Sequence, residues 1–92
     1  MSVTLKVPTP LRRMTGGAST LETPGGTLAE VLERLDGQFP GLKARLLGDN
    51  NKDIHPYISI FINGDDVRYM SGLETAVKDG DEVTIVPAIA GG

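Results

Sequence analysis

TLAEVLERLDG, residues 27–37, is the clearest helix in the chain, and its isolation among strand patterns decides the fold. Thr27 and Glu30 have the T-x-x-E spacing of a capping box, in which each side chain satisfies a backbone N–H at the helix start. Leu28, Val31, Leu32 and Leu35 follow at i, i+3, i+4 and i+7 and so make a single apolar stripe. Glu30, Glu33, Arg34 and Asp36 occupy the other side, and Gly37 is a suitable stop.

Upstream of the helix, SVTLKVP alternates, with Val3, Leu5 and Val7 on one face and Thr4 and Lys6 on the other. That pattern predicts a half-buried strand ended by Pro8 and Pro10. LRRMTGG then reads as a turn region, since Gly16 and Gly17 accept the positive φ of a hairpin. Residues 18–23 return as a second strand, stopped at Pro24, Gly25 and Gly26.

Downstream, residues 42–47 form a shorter helical piece and GDNNKD a polar loop. YISIFING is dense in β-branched and aromatic residues. Ile58, Ile60 and Ile62 face one way, and Tyr57, Ser59 and Phe61 the other. Asn63–Gly64 is a strong hairpin signal leading into a strand over 66–69. Leu73, Ala76 and Val77 suggest a helical turn, Asp79–Gly80 a tight turn, and DEVTIVP a last strand with Val83 and Ile85 inward. The expected architecture is α+β, one main helix laid across a mixed sheet. The first and last strands are able to pair side by side, with everything from Pro87 onward projecting.

Composition narrows the chemistry. The 92 residues make one domain with one modest core. With no cysteine, disulfides, thiolate zinc sites, iron–sulfur clusters and cysteine nucleophiles are all excluded. One histidine cannot build a histidine-based metal site unaided. A net charge of −3 argues against nucleic acid. No apolar run approaches the ~20 residues of a membrane span, and the N-terminus has no signal-peptide pattern, so cytoplasmic residence is the default expectation. Asp65, Asp66, Asp79 and Asp81 lie at turns and do not match a calcium loop, so no metal site is expected. Gly25–Thr27 before the helix lacks the length and lysine of a phosphate loop. No nucleophile–base pair is visible, which predicts a non-enzyme.

With that element order, the sequence resembles the ubiquitin-like β-grasp sulfur carriers, the MoaD/ThiS group. VTLKVPTPLRRMTGG (residues 3–17) is similar to the family's first strand and Leu-Arg turn. YISIFINGDDVRYMSGLETAVKDGDEVTIVP (residues 57–87) is similar to its NG hairpin, its L-x-x-x-V-x-D-G-D-x-V segment and its final strand. AIAGG (residues 88–92) is similar to its terminal tail. The NNKDIHPY insertion and the AIAGG ending are closer to the cysteine-biosynthesis (CysO-type) branch.

The resemblance implies a β-grasp domain over residues 1–87 and a flexible diglycine tail over residues 88–92. In the family, an E1-like adenylyltransferase with sulfurtransferase activity uses ATP to adenylylate the terminal carboxylate, and a sulfur donor replaces AMP. On this chain the thiocarboxylate would form at Gly92, with Gly91, Ala90, Ile89 and Ala88 threading the partner's active site. Glycines suit that passage because they have no Cβ. Pro87 stiffens the exit from the last strand. This chain itself would hold no cofactor. The cysteine-branch likeness implies a pyridoxal-phosphate-dependent cysteine synthase as sulfur acceptor and a metalloprotease that releases the product. Molybdopterin and thiamine precursors are the other acceptors the family implies. A ubiquitin-like modifier joined through Gly92 to target lysines is the competing function, and a plain interaction module the third.

The surface that a partner grips is less specific in sequence. Tyr57 and Phe61, opposite the isoleucine face, read either as interface anchors or as a cross-strand packing pair. Arg12, Arg13 and Arg68 read either as contacts to acidic partner groups or as solvated charge. His55 reads as a surface residue without assigned chemistry.

Overall fold

The computed structural model describes residues 2–47 and 54–87. Strand β1 is Val3–Lys6, β2 is Thr20–Thr23 and β3 is Gly26–Thr27. Helix α1 is Leu28–Gln38 and α2 is Leu42–Leu46. Strand β4 is Ile58–Ile62, β5 is Asp65–Asp66, β6 is Ala76–Val77 and β7 is Glu82–Pro87.

Five strands form one mixed sheet in the order β2-β1-β7-β4-β5. The terminal strands β1 and β7 run parallel at its centre, with Leu5 beside Val83, and every other pair in the sheet is antiparallel. Helix α1 crosses one face. Its stripe Leu28, Val31, Leu32 and Leu35 is fully buried with Val3, Leu5, Ile60, Ile62, Val83 and Ile85. Removing each such side chain from water is worth about 1.5–3 kcal/mol, which makes this layer the main source of stability. Strands β3 and β6 make a separate two-stranded ribbon beside the helix start.

The capping box is present in full. The Thr27 hydroxyl accepts from the Glu30 N–H at 3.2 Å, and Glu30 Oε1 accepts from the Thr27 N–H at 2.9 Å. Asn63 and Gly64 both take positive φ, 52° and 91°, as a two-residue hairpin turn requires.

Four local readings are corrected. Helix α1 runs past Gly37 to Gln38, and the left-handed residue is Gly41 at φ 98°. Asp36 Oδ1 accepts the N–H groups of Gly41 and Lys43, both at 3.1 Å, so the turn into α2 is stabilised at Gly41, four residues later than Gly37. The region before Gly16 is a 3₁₀ helix over Thr9–Thr15, which buries Leu11 and Thr15. The strand expected over 66–69 stops at Asp66. Its carboxylate accepts the Arg68 N–H at 2.9 Å and turns the chain into a 3₁₀ helix, Val67–Tyr69, burying Val67. The helical turn expected around Leu73–Val77 is confined to Gly72–Glu74. Ala76 and Val77 are extended because Thr27 and Gly26 pair with them.

Candidate partner-docking face and tail root

The sheet order gathers three chain positions at one end. Because β1 is parallel to β7 and β4 is antiparallel to it, the end of β1, the end of β7 and the start of β4 lie together. Lys6 stands beside Thr84, and Pro87 stands opposite Ile58. Pro87 is the last described residue, so Ala88, Ile89, Ala90, Gly91 and Gly92 lie outside the described residues. The sheet delivers the chain to this end.

Around that root the surface is apolar in part. Tyr57 is 64% exposed, and its ring lies against His55 with centroids 5.4 Å apart. Val86, paired with Ser59, is 45% exposed. Phe61 is half-buried on the face away from the isoleucine core, flanked by Thr84 on β7 and Asp66 on β5. Alternation along β4 therefore places Phe61 as the sequence suggests, and its strand neighbours account for part of its burial.

Of the three arginines singled out in the sequence, Arg12 and Arg68 are committed to this chain's own backbone. Arg12 Nε donates to the Val7 carbonyl at 3.1 Å, fixing the 3₁₀ helix to the end of β1. Arg68 Nη2 donates to the carbonyls of His55 and Ile58, at 2.8 and 2.5 Å. Arg13 is exposed. His55 is half-buried, and its Nδ1 accepts the Tyr57 N–H at 3.1 Å. Tyr57, Arg12 and Arg68 thus converge on the tail-root end, with Phe61 further along the outer face.

Sequence reading missed two exposed residues. Tyr69 is 92% exposed and Met70 49% exposed, at the end of the 3₁₀ helix beyond β5. As a strand, Tyr69 had no reason to stand out; the turn residues Ser71 and Gly72 were the available signal. Arg68 also lines a cleft of about 420 Å³ with Ile54, Gly72 and Leu73.

Among the described residues, the two carboxyls held below the ordinary carboxylate range stand away from this end. Asp81 is lowered chiefly by the Lys78 backbone N–H and then by the Asn63 amide. Glu30 is lowered by the Thr27 backbone N–H, then by the Thr27 hydroxyl. Among the described residues no three His, Asp or Glu side chains gather as a metal site. No helix among them is long and apolar enough to cross a membrane.

A helix across a mixed sheet whose first and last strands are parallel neighbours, delivering its final strand to a partly apolar end, defines a protein of the ubiquitin-like β-grasp fold. The chain belongs to the ThiS family, which matches residues 5–92. It is 42% identical to the sulfur carrier protein CysO of Mycobacterium tuberculosis over 93 residues, covering 100% of both chains. It superposes on a chain of the crystal structure of the Amycolatopsis orientalis BexX/CysO complex with a TM-score of 0.91. Identity there is 43%, over 98% of this chain and 99% of that one. It is also 36% identical over 66 residues to small archaeal modifier protein 3 of Haloferax volcanii, covering 72% of this chain and 70% of the modifier.

Proposed function

We propose that this chain is a cytoplasmic sulfur carrier, a protein co-substrate and not itself an enzyme. Its Gly92 carboxylate is adenylylated by an E1-like partner and converted to a thiocarboxylate. A carboxylate is a poor electrophile because its charge is delocalised and oxide cannot leave. One carboxylate oxygen attacks the α-phosphorus of ATP and displaces pyrophosphate. A sulfur nucleophile then attacks the acyl carbon and displaces AMP, leaving –C(O)S⁻. Sulfur is held as a nucleophile and delivered to an electrophilic acceptor, with an activated serine derivative on a pyridoxal-phosphate enzyme as the preferred one. The amino acid formed remains on Gly92 until a metalloprotease releases it.

The observation that carries this reading is the end-to-end likeness to CysO at 42% identity, within a family match that runs through Gly92. The fold supports it. Ordering a short tail costs about 1–2 kcal/mol per residue, so the partner must draw affinity from globular contacts beside the root. Tyr57, Val86 and Phe61 offer such a surface, and the BexX/CysO complex is a precedent for a partner protein.

The modifier reading is favoured by one observation, the likeness to small archaeal modifier protein 3. Activation is shared, and the two differ in the final nucleophile, sulfur or a lysine amine. Intact-mass measurement after incubation with ATP, the E1-like enzyme and a sulfur source separates them. The carrier gains one oxygen-to-sulfur exchange located on Gly92, and deletion of Gly92 abolishes it. Absence of exchange together with lysine-linked adducts in cells overturns the carrier reading.

A further inference from the structure

Strand β4 has an incomplete outer edge. Its partner on that side, β5, is two residues long and pairs with Phe61 and Ile62 only. At the other end of β4, Ile58 stands opposite Pro87 in a pair that shares no ladder hydrogen bond: Asn63 N–H donates to Glu82 O, so by alternation Ile58 turns its N–H and carbonyl to the outer edge. β5 does not reach that far, and the Ile58 carbonyl has no strand partner there. Arg68 satisfies it: Nη2 donates to Ile58 O and to His55 O, and Nη1 lies 3.4 Å from Ser59 Oγ. His55 O accepts the Ile58 N–H as well, at 2.9 Å. The guanidinium stands in for the missing strand where β4 begins.

The arm that presents it is well held. Asp66 Oδ1 accepts the Arg68 N–H at 2.9 Å, and Val67 beside it is fully buried. The linkage runs from Asp66 to Arg68, from Arg68 to Ile58, and from Ile58 to Pro87, the residue from which the chain continues into 88–92. Misplacement of a reacting group by about 1 Å can cost about 100-fold in rate.

We infer that Arg68 is a positioning residue for activation of the tail, an inference that rests on the carrier reading. By clamping the His55 and Ile58 carbonyls it holds the start of β4 beside the end of β7, and so fixes the root from which the chain continues toward Gly92. Arg68 does this as a fork serving two carbonyls, a geometry that the point charge of lysine does not reproduce.

The test is ATP–pyrophosphate exchange by the cognate E1-like enzyme, with the concentration of the full chain varied. Arg68→Ala and Arg68→Lys are expected to lower kcat about tenfold while KM stays within about twofold. An acidic partner contact would instead raise KM, leave kcat alone and be rescued by Arg68→Lys; that result overturns the inference, as does an unchanged kcat. Amide hydrogen exchange on the isolated chain supplies an independent readout. Exchange at Ser59, on the rung next to the clamp, is expected to accelerate about tenfold in both variants, and an unchanged rate overturns the clamp. If Arg68→Ala fails to fold, Arg68→Lys and Arg68→Gln carry the same measurements. If the wild-type chain supports no exchange of pyrophosphate, the carrier reading falls and the positioning role with it. The Ser59 amide then still decides whether Arg68 orders the root.

Discussion

Asn63 and Asp81 fasten the closed end of the sheet. Asn63 Nδ2 donates to Asp81 Oδ1 at 2.9 Å, while Asn63 Oδ1 accepts the Glu82 N–H at 3.0 Å. The β4–β5 turn is thereby tied to the first residue of β7. Asp81 Oδ2 accepts the Lys78 N–H at 2.9 Å, closing the turn that precedes β7.

These bonds favour the ionised form of Asp81, whose folded carboxyl titrates below its ordinary value. Its contribution is therefore complete above the ordinary aspartate range and is lost as pH falls through the lowered folded value. Asp81→Asn is expected to lower the melting temperature at pH 7 and to flatten its decline under acid. Thermal melts from neutral pH to about pH 3 check this, and an unchanged acid slope in the variant counts against it.

Removing the helix cap tests the other end of the fold. Thr27→Ala takes away the acceptor of the Glu30 N–H and is expected to cost about 1 kcal/mol. Urea denaturation should show a lower midpoint with an unchanged m-value, as expected when the fold is weakened without altering its surface.

Gly25 sits where the chain passes close to β6. A Cβ there would stand 2.6 Å from the Val77 carbonyl oxygen, which is backbone and cannot rotate away. Gly25→Ala is therefore expected to destabilise by about 1–3 kcal/mol, whereas Gly37→Ala, with open space around it, should be neutral or stabilising. Equilibrium denaturation of the two variants checks the contrast.

The docking face makes a binding prediction. Tyr57→Ser and Val86→Ser remove exposed apolar surface beside the tail root and should leave the melting temperature within a few degrees of wild type. Each is expected to raise KM for the chain in pyrophosphate exchange about fivefold, in line with loss of an anchor worth about 1 kcal/mol. A combined variant with wild-type KM would remove this face from the interface.

Legibility tracked the range of the interaction. The capping box at Thr27 and Glu30, the α1 stripe and the Asn63–Gly64 turn were readable because each partner lies within a few residues. Gly37 misled because a local stop signal lost to the Asp36 carboxylate, which reaches Gly41 and Lys43. The strand over 66–69 misled because a side-chain cap on Arg68 competes with the ladder. Ala76 and Val77 carried no local strand signal, since their partners Thr27 and Gly26 lie about fifty residues earlier.

By itself the sequence determined the α+β class and the apolar faces of β1, α1, β4 and β7, which rest on period and local spacing, and the family resemblance, which rests on the likeness of three stretches to the family's own segments. Only the tertiary structure decided that the ends of β1 and β7 meet the start of β4, and that Arg12 and Arg68 are engaged by backbone carbonyls. It also decided that Tyr69 stands fully outward. A guanidinium goes where an unpaired carbonyl needs a donor, and at Ile58 that need arises only because the chain leaves β5 at Asp66 and leaves the outer edge of β4 open there.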